Sequence, residues 1–227
     1  MFVHFCLSAL EGKRSRVYSK DRRKGAVVFS GADGSGKTTA ARVLYVYLLR
    51  KGYDVCFHWF RGSHMLASIL LRFLSRYSSF RGLCNPYYRV CVPSALRFLW
   101  VLIEFINLLP YLMVRTLLSW TCFLVCDRGV LDFVVWVSTT LNYPGFLGTL
   151  IGRFLLSLAS REETVYLYAN LETLSRRSDV PRDFLLKELV YYRVLSRYYA
   201  KLAVDSSRNS PARIAVLVLK PMFKRST

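Results

Sequence analysis

Lys37 and Thr38 close the run Gly31-Ala32-Asp33-Gly34-Ser35-Gly36-Lys37-Thr38-Thr39, with four residues between Gly31 and Gly36. This is the spacing of a loop that cradles polyphosphate. Three glycines let the backbone curl so that successive N–H groups of Gly31 and residues 33–39 face the anion. The helix that follows adds the positive end of its dipole. Lys37 then reaches the β- and γ-phosphates, and the Thr38 hydroxyl sits on Mg²⁺. A second set of charges stands at the ends of apolar runs. Asp127-Arg128 follows Thr121 to Cys126, where a carboxylate can hold Mg²⁺ beside a phosphate loop. Arg61 follows Asp54 to Phe60, a placement suited to a substrate phosphate. Arg176 and Arg177 lie in a basic, proline-broken segment with the character of a mobile lid, whose arginines neutralise charge in phosphoryl transfer. His58 and His64 read as ordinary strand and loop residues, and Asp132 as a helix N-terminal charge.

Elements must bring these residues together. Strands are expected near 26–30, 54–60, 121–126, 164–169 and 213–219, alternating with helices at Ala40 to Lys51, Met65 to Tyr77, Ser94 to Trp120, Phe146 to Ala159 and Phe184 to Leu202. Near-continuous apolar strands separated by helices predict a parallel sheet covered on both faces, a three-layer αβα sandwich. Right-handed crossovers then place Ser30, Arg61, Asp127 and Asn170 at one carboxyl edge. Glu104, Pro110 and the flanking Arg97 and Arg115 interrupt the apolar stretch from Phe98 to Val114, so it reads as a buried core helix and not a membrane span.

Composition sets the outer bounds. The chain has 227 residues, 53% of them hydrophobic, which excludes global disorder and fits one domain. The expected organisation is a basic leader over 1–24, a domain over 25–220 with a lid at about 174–184, and a basic tail over 221–227. A formal net charge of +19 implies attraction to polyanions, whether nucleotides, nucleic acid or an anionic membrane. Six cysteines show no CxxC pair and read as buried, reduced thiols of a cytoplasmic protein. Met1 to Leu10 is apolar but lacks a positive n-region and a cleavage site, so no signal peptide is expected.

The loop 31–39, the strand-end Asp127-Arg128 and the segment from Leu167 and Leu171 to Arg176-Arg177 resemble thymidylate kinase and its P-loop nucleoside monophosphate kinase relatives. The resemblance implies ATP- and Mg²⁺-dependent phosphorylation of a nucleoside monophosphate, dTMP first. It implies that Asp33 contacts the acceptor sugar and that Arg61, Arg97 and Arg128 serve the acceptor phosphate. Thr38 and Asp127 would hold Mg²⁺. Gly34 stands where some members carry a catalytic arginine, which points to Arg176 or Arg177 as its replacement. Phe60-Arg61-Gly62-Ser63 departs from the family's acidic-Pro-Gly turn, and Gly129 and Leu131-Asp132 depart from the Tyr and Ser that follow Asp-Arg. Two aromatics among Tyr87, Tyr88, Phe98 and Trp100 are candidates to stack on a base. A homodimer is among the expected partners. The alternative is a nucleotide-dependent module that binds nucleic acid or a membrane surface without small-molecule kinase activity.

Overall fold

The computed structural model describes residues 25–60 and 66–224. The basic leader, Arg61 and His64 lie outside the described residues. Five strands form one parallel sheet: β1 (Gly25–Ser30), β2 (Val55–Trp59), β4 (Phe123–Asp127), β5 (Thr164–Tyr168) and β6 (Ala200–Asp205), in the order β2-β4-β1-β5-β6. A short β3 (Arg81–Asn85) stands outside this sheet.

Strand alternation sends Val27 and Phe29 to one face, where α1 (Lys37–Arg50) and α8 (Pro211–Lys224) cover them. The opposite face carries α2 (Leu66–Leu74), α3 (Arg97–Thr121), α4 (Val130–Thr140), α5 (Leu150–Ser160), α6 (Leu171–Arg177) and α7 (Arg182–Tyr199). The result is the three-layer αβα sandwich expected from the sequence. Phe29 and Trp59 both pair with Asp127, so the carboxyl ends of β1, β4 and β2 meet at one point.

The fifth strand differs from expectation. Residues 213–219 are helical, and β6 begins within the expected helix, over residues 200–202, and runs on to Asp205. Ile214, Ala215, Val218 and Leu219 are buried, which is the i, i+1, i+4, i+5 face of a helix in spite of its β-branched residues. Pro211 starts that helix with its φ already suited, and the Ser210 hydroxyl accepts from Arg213 N at 3.3 Å. Ala200 to Asp205 forms an edge strand because β5 supplies the ladder.

The helix α3 is not the buried core element expected. By length and composition alone, the stretch Ser94–Thr121 is long and apolar enough to cross a membrane. Trp100, Val101, Glu104, Asn107 and Leu108 are buried on one face. Leu99, Ile106, Met113 and Trp120 lie exposed on the other.

The cysteines also differ from expectation. Cys56 is bonded to Cys122 and Cys84 to Cys91, while Cys126 is a buried free thiol.

Candidate functional site

The loop after β1 owes its shape to glycine. Gly31 sits at φ +151°, where a Cβ would come 2.3 Å from the Leu167 carbonyl oxygen. Gly34, at φ +83°, would bring a Cβ to 2.7 Å from the Leu174 carbonyl oxygen and 3.3 Å from Arg177 Cβ. A side chain at either position meets backbone, so the loop closes tightly against β5 and α6. The N-terminus of α1 follows at once, with Gly36 as its cap residue.

Lys37 lies buried inside this loop. Its Nζ donates to the Ala32 carbonyl at 2.9 Å and pairs with Asp33 Oδ1 at 3.4 Å. Burial and the nearby Arg128 lower its pKa, against the pull of Asp33, Asp132 and Glu188. Asp33 is the hub of the cleft. It is ion-paired to Arg128 Nη2, and its Oδ2 accepts from the Tyr87 hydroxyl at 2.7 Å. Burial pushes its carboxyl up, but Lys37, Arg128 and Tyr87 together outweigh it and hold the group well below the usual carboxylate range. Arg128 takes φ +77°, which a non-glycine residue adopts at a cost of about 1–2 kcal/mol. Burial opposes its charge, but Asp33 and Asp132 more than compensate and raise its pKa.

Asp127 ends β4 fully buried, and neither carboxylate oxygen has a hydrogen-bond partner. Burial raises its pKa, while the adjacent Thr38 hydroxyl, Arg128 and Lys37 favour the charged form. An orphaned carboxylate beside a hydroxyl is the hard-oxygen environment that Mg²⁺ accepts. The described residues contain no group of three or more His, Cys, Asp or Glu placed to hold a metal. An ion here would therefore rely on Thr38, Asp127, water and phosphate oxygens. The residues present fit that arrangement.

The neighbouring cleft is lined by Asp33, Phe60, Tyr87, Arg128, Asp132, Phe133, Trp136 and Glu188. Of the expected aromatics only Tyr87 lines it. Trp100 is buried, with its indole donating to Glu104 at 3.3 Å, and Phe98 is exposed. Arg97 opens α3, is not among the lining residues, and buries an unpartnered Nε. Thr39 is exposed at the start of α1, and Ser35 is fully buried with its hydroxyl unpartnered. Arg176 and Arg177 are exposed on the last turn of α6, and the approach to Gly34 places the base of Arg177 at the glycine loop. The expected lid is anchored by buried Leu174, Val180 and Phe184, which leaves only a short exposed turn between them.

Sequence reasoning did not find Glu188, Tyr192 or the full role of Asp132. Glu188 accepts from Asp33 N at 3.3 Å, and burial with the neighbouring Asp33 raises its pKa to about 7. Asp132 accepts from Gly129 N at 2.9 Å, as a helix-start charge would. It also accepts from Gly31 N at 3.2 Å and from the Tyr192 hydroxyl at 2.7 Å, so it ties α4 and α7 to the loop. Glu162 anchors the same corner, accepting from Arg115 Nη1 at 2.6 Å and from Val130 N at 3.3 Å.

Strand order and loop geometry define a three-layer αβα protein with a glycine loop between β1 and α1. No protein-family model and no curated protein sequence matches the chain. Among solved structures, shikimate kinase from Acinetobacter baumannii in complex with shikimate is similar to it. The TM-score is 0.47, with 14% sequence identity over 90% of this chain and 96% of that one.

Proposed function

We propose that this chain is an ATP-dependent phosphotransferase that phosphorylates a nucleoside monophosphate, with dTMP the first candidate. One observation carries the reading: a buried, unpartnered Asp127 carboxylate beside Thr38, at the mouth of a glycine loop that holds Lys37. Mg²⁺, when bound, would neutralise charge on the donor phosphates. The backbone amides of 34–38 and Lys37 grip those phosphates. Asp33 and Arg128, locked to each other, present one acceptor for a sugar hydroxyl and one cation for a phosphate. Phe60, Phe133 and Trp136 supply apolar walls that exclude water and hold a planar group. Arg177 meets the charge that develops on the transferred group. Little covalent chemistry is asked of the protein, and positioning dominates.

The test is coupled ATP turnover with Mg²⁺ over a panel of nucleoside monophosphates, comparing the native chain with Lys37→Ala. Acceptor-dependent turnover lost in the variant supports the reading. Equal rates in both, or no acceptor dependence, defeats it.

The exposed apolar face of α3, together with the +19 charge, favours a second reading, attachment of the same protein to an anionic membrane surface. Flotation with phosphatidylserine vesicles tests it. A chain that stays at the bottom of the gradient removes it.

A further inference from the structure

We propose that Tyr87 is a positioning residue of the acceptor cleft, held in place by the Cys84–Cys91 bridge, so that the cleft's affinity follows the oxidation state of that bridge. The proposal rests on the kinase reading of the cleft. Residues 81–91 form a small antiparallel lobe outside the main sheet, in which Val90 bridges to both Arg81 and Asn85. The lobe has few internal ties. Gly82 N donates to Arg89 O at 3.0 Å, Arg89 N to Asn85 O at 2.9 Å, and Cys91 N to Phe80 O at 2.7 Å. Buried Asn85 turns the chain, its Oδ1 accepting from Tyr87 N at 3.1 Å and Tyr88 N at 3.3 Å.

The bridge closes this turn, with 4.9 Å between the two Cα atoms. A Cβ on Gly82 would lie 2.3 Å from Cys91 Sγ, so the lobe is built tightly around the sulfur. From its tip Tyr87 reaches across to the phosphate loop. Its hydroxyl donates to Asp33 Oδ2 at 2.7 Å, and its ring centroid lies 5.8 Å from that of Trp136. Tyr87 thus fixes one oxygen of the carboxylate whose other oxygen pairs with Arg128 and Lys37. Val90 and Asn85 bury the base of the lobe, whereas Leu83, Tyr87 and Arg89 are exposed, so the tip that carries Tyr87 has little burial of its own to hold it once the covalent tie is gone. Opening a short closed loop returns freedom to all its residues. The site would then bind acceptor only after ordering the loop again.

Reduction is balanced by a dithiol. The Cys84–Cys91 S–S bond breaks and two thiols form, taking two electrons and two protons from dithiothreitol, which closes to its cyclic disulfide.

The experiment measures KM and kcat for dTMP, or for the panel member that turns over, with and without dithiothreitol. Hydrogen exchange of residues 84–91 is followed in the same samples. The expected result is a KM raised about tenfold, with kcat within about twofold, on reduction, in Cys84→Ser/Cys91→Ser, and in Tyr87→Phe, which loses a hydrogen bond to a charged group. The double serine variant should not respond to dithiothreitol. Cys56→Ser/Cys122→Ser should respond as the native chain does. Normal turnover with a KM indifferent to reduction and to Tyr87→Phe overturns the proposal and leaves the kinase reading standing. If no acceptor turns over, the kinase reading fails and exchange decides. Protection of 84–91 lost on reduction supports the clamp, and unchanged protection overturns it.

Discussion

Glu188→Gln should make the protein more stable, by an amount that grows with pH. The carboxyl is 2% exposed and titrates near 7, against an ordinary value of 4.5, because burial and then the nearby Asp33 charge disfavour its ionised form. The folded-state pKa is raised. The stability linked to it is therefore complete below the unfolded pKa and is lost as pH rises through the folded one. At about 1.36 kcal/mol per pKa unit, the loss is on the order of 1 kcal/mol at pH 5 and 3 kcal/mol at pH 8. Glutamine keeps an oxygen to accept from Asp33 N and carries no charge. Urea unfolding of both proteins between pH 5 and pH 8 reads the difference directly. A gap that widens to about 3 kcal/mol, then levels, is expected. A second arm isolates the cause. In an Asp33→Asn background the gap should shrink, because the charge that adds to burial in raising the Glu188 pKa is gone. A pH-independent gap, or a less stable glutamine variant, would refute the assignment of a strained, buried carboxylate to this position.

Arg177→Ala should lower kcat by about a thousandfold, as loss of a charge-stabilising arginine does, while Arg176→Ala stays within about threefold; steady-state turnover separates them. Gly34→Ala places a Cβ 2.7 Å from the Leu174 carbonyl at φ +83°. It should cost about 1–3 kcal/mol of stability and weaken ATP binding measured by calorimetry. Arg115→Met leaves Glu162 buried without its cation, and the remaining donor is Val130 N. A loss of about 3–5 kcal/mol at neutral pH is expected by urea unfolding. That loss should ease as the pH falls and the Glu162 carboxyl, already raised by burial, takes up a proton.

The parts of this structure legible in the sequence are those encoded locally. The loop 31–38 announces itself because glycines, Lys37 and Thr38 act through their own backbone and near neighbours. Strands β1, β2, β4 and β5 are short apolar runs between polar breaks and fall within two residues of their expected bounds. The exchange of β6 and α8 shows the limit. Ala200 to Val204 carries helix formers, yet a free sheet edge claims it, while Ile214 to Leu219 carries β-branched residues that α1 packs as a helix. The Cys56–Cys122 pair was illegible for the same reason, since the two meet across 66 residues only because β2 and β4 are neighbours. The cleft is still less local. Asp33 receives Tyr87 from 54 residues away and Glu188 from 155.

Asp127 and Asp132 make the distinction sharpest. Five residues apart, both are carboxylates next to an apolar run, and position alone assigned one to a metal and the other to a helix start. In the fold Asp132 is satisfied by two backbone amides and a tyrosine hydroxyl, whereas both oxygens of Asp127 are buried without a hydrogen-bond partner. A buried carboxylate with no partner is costly unless something of opposite charge meets it. The two roles are therefore separated by partners that the loop after β1, the start of α4 and α7 deliver, and of the two it is the carboxylate left unsatisfied that has a physical reason to seek a cation.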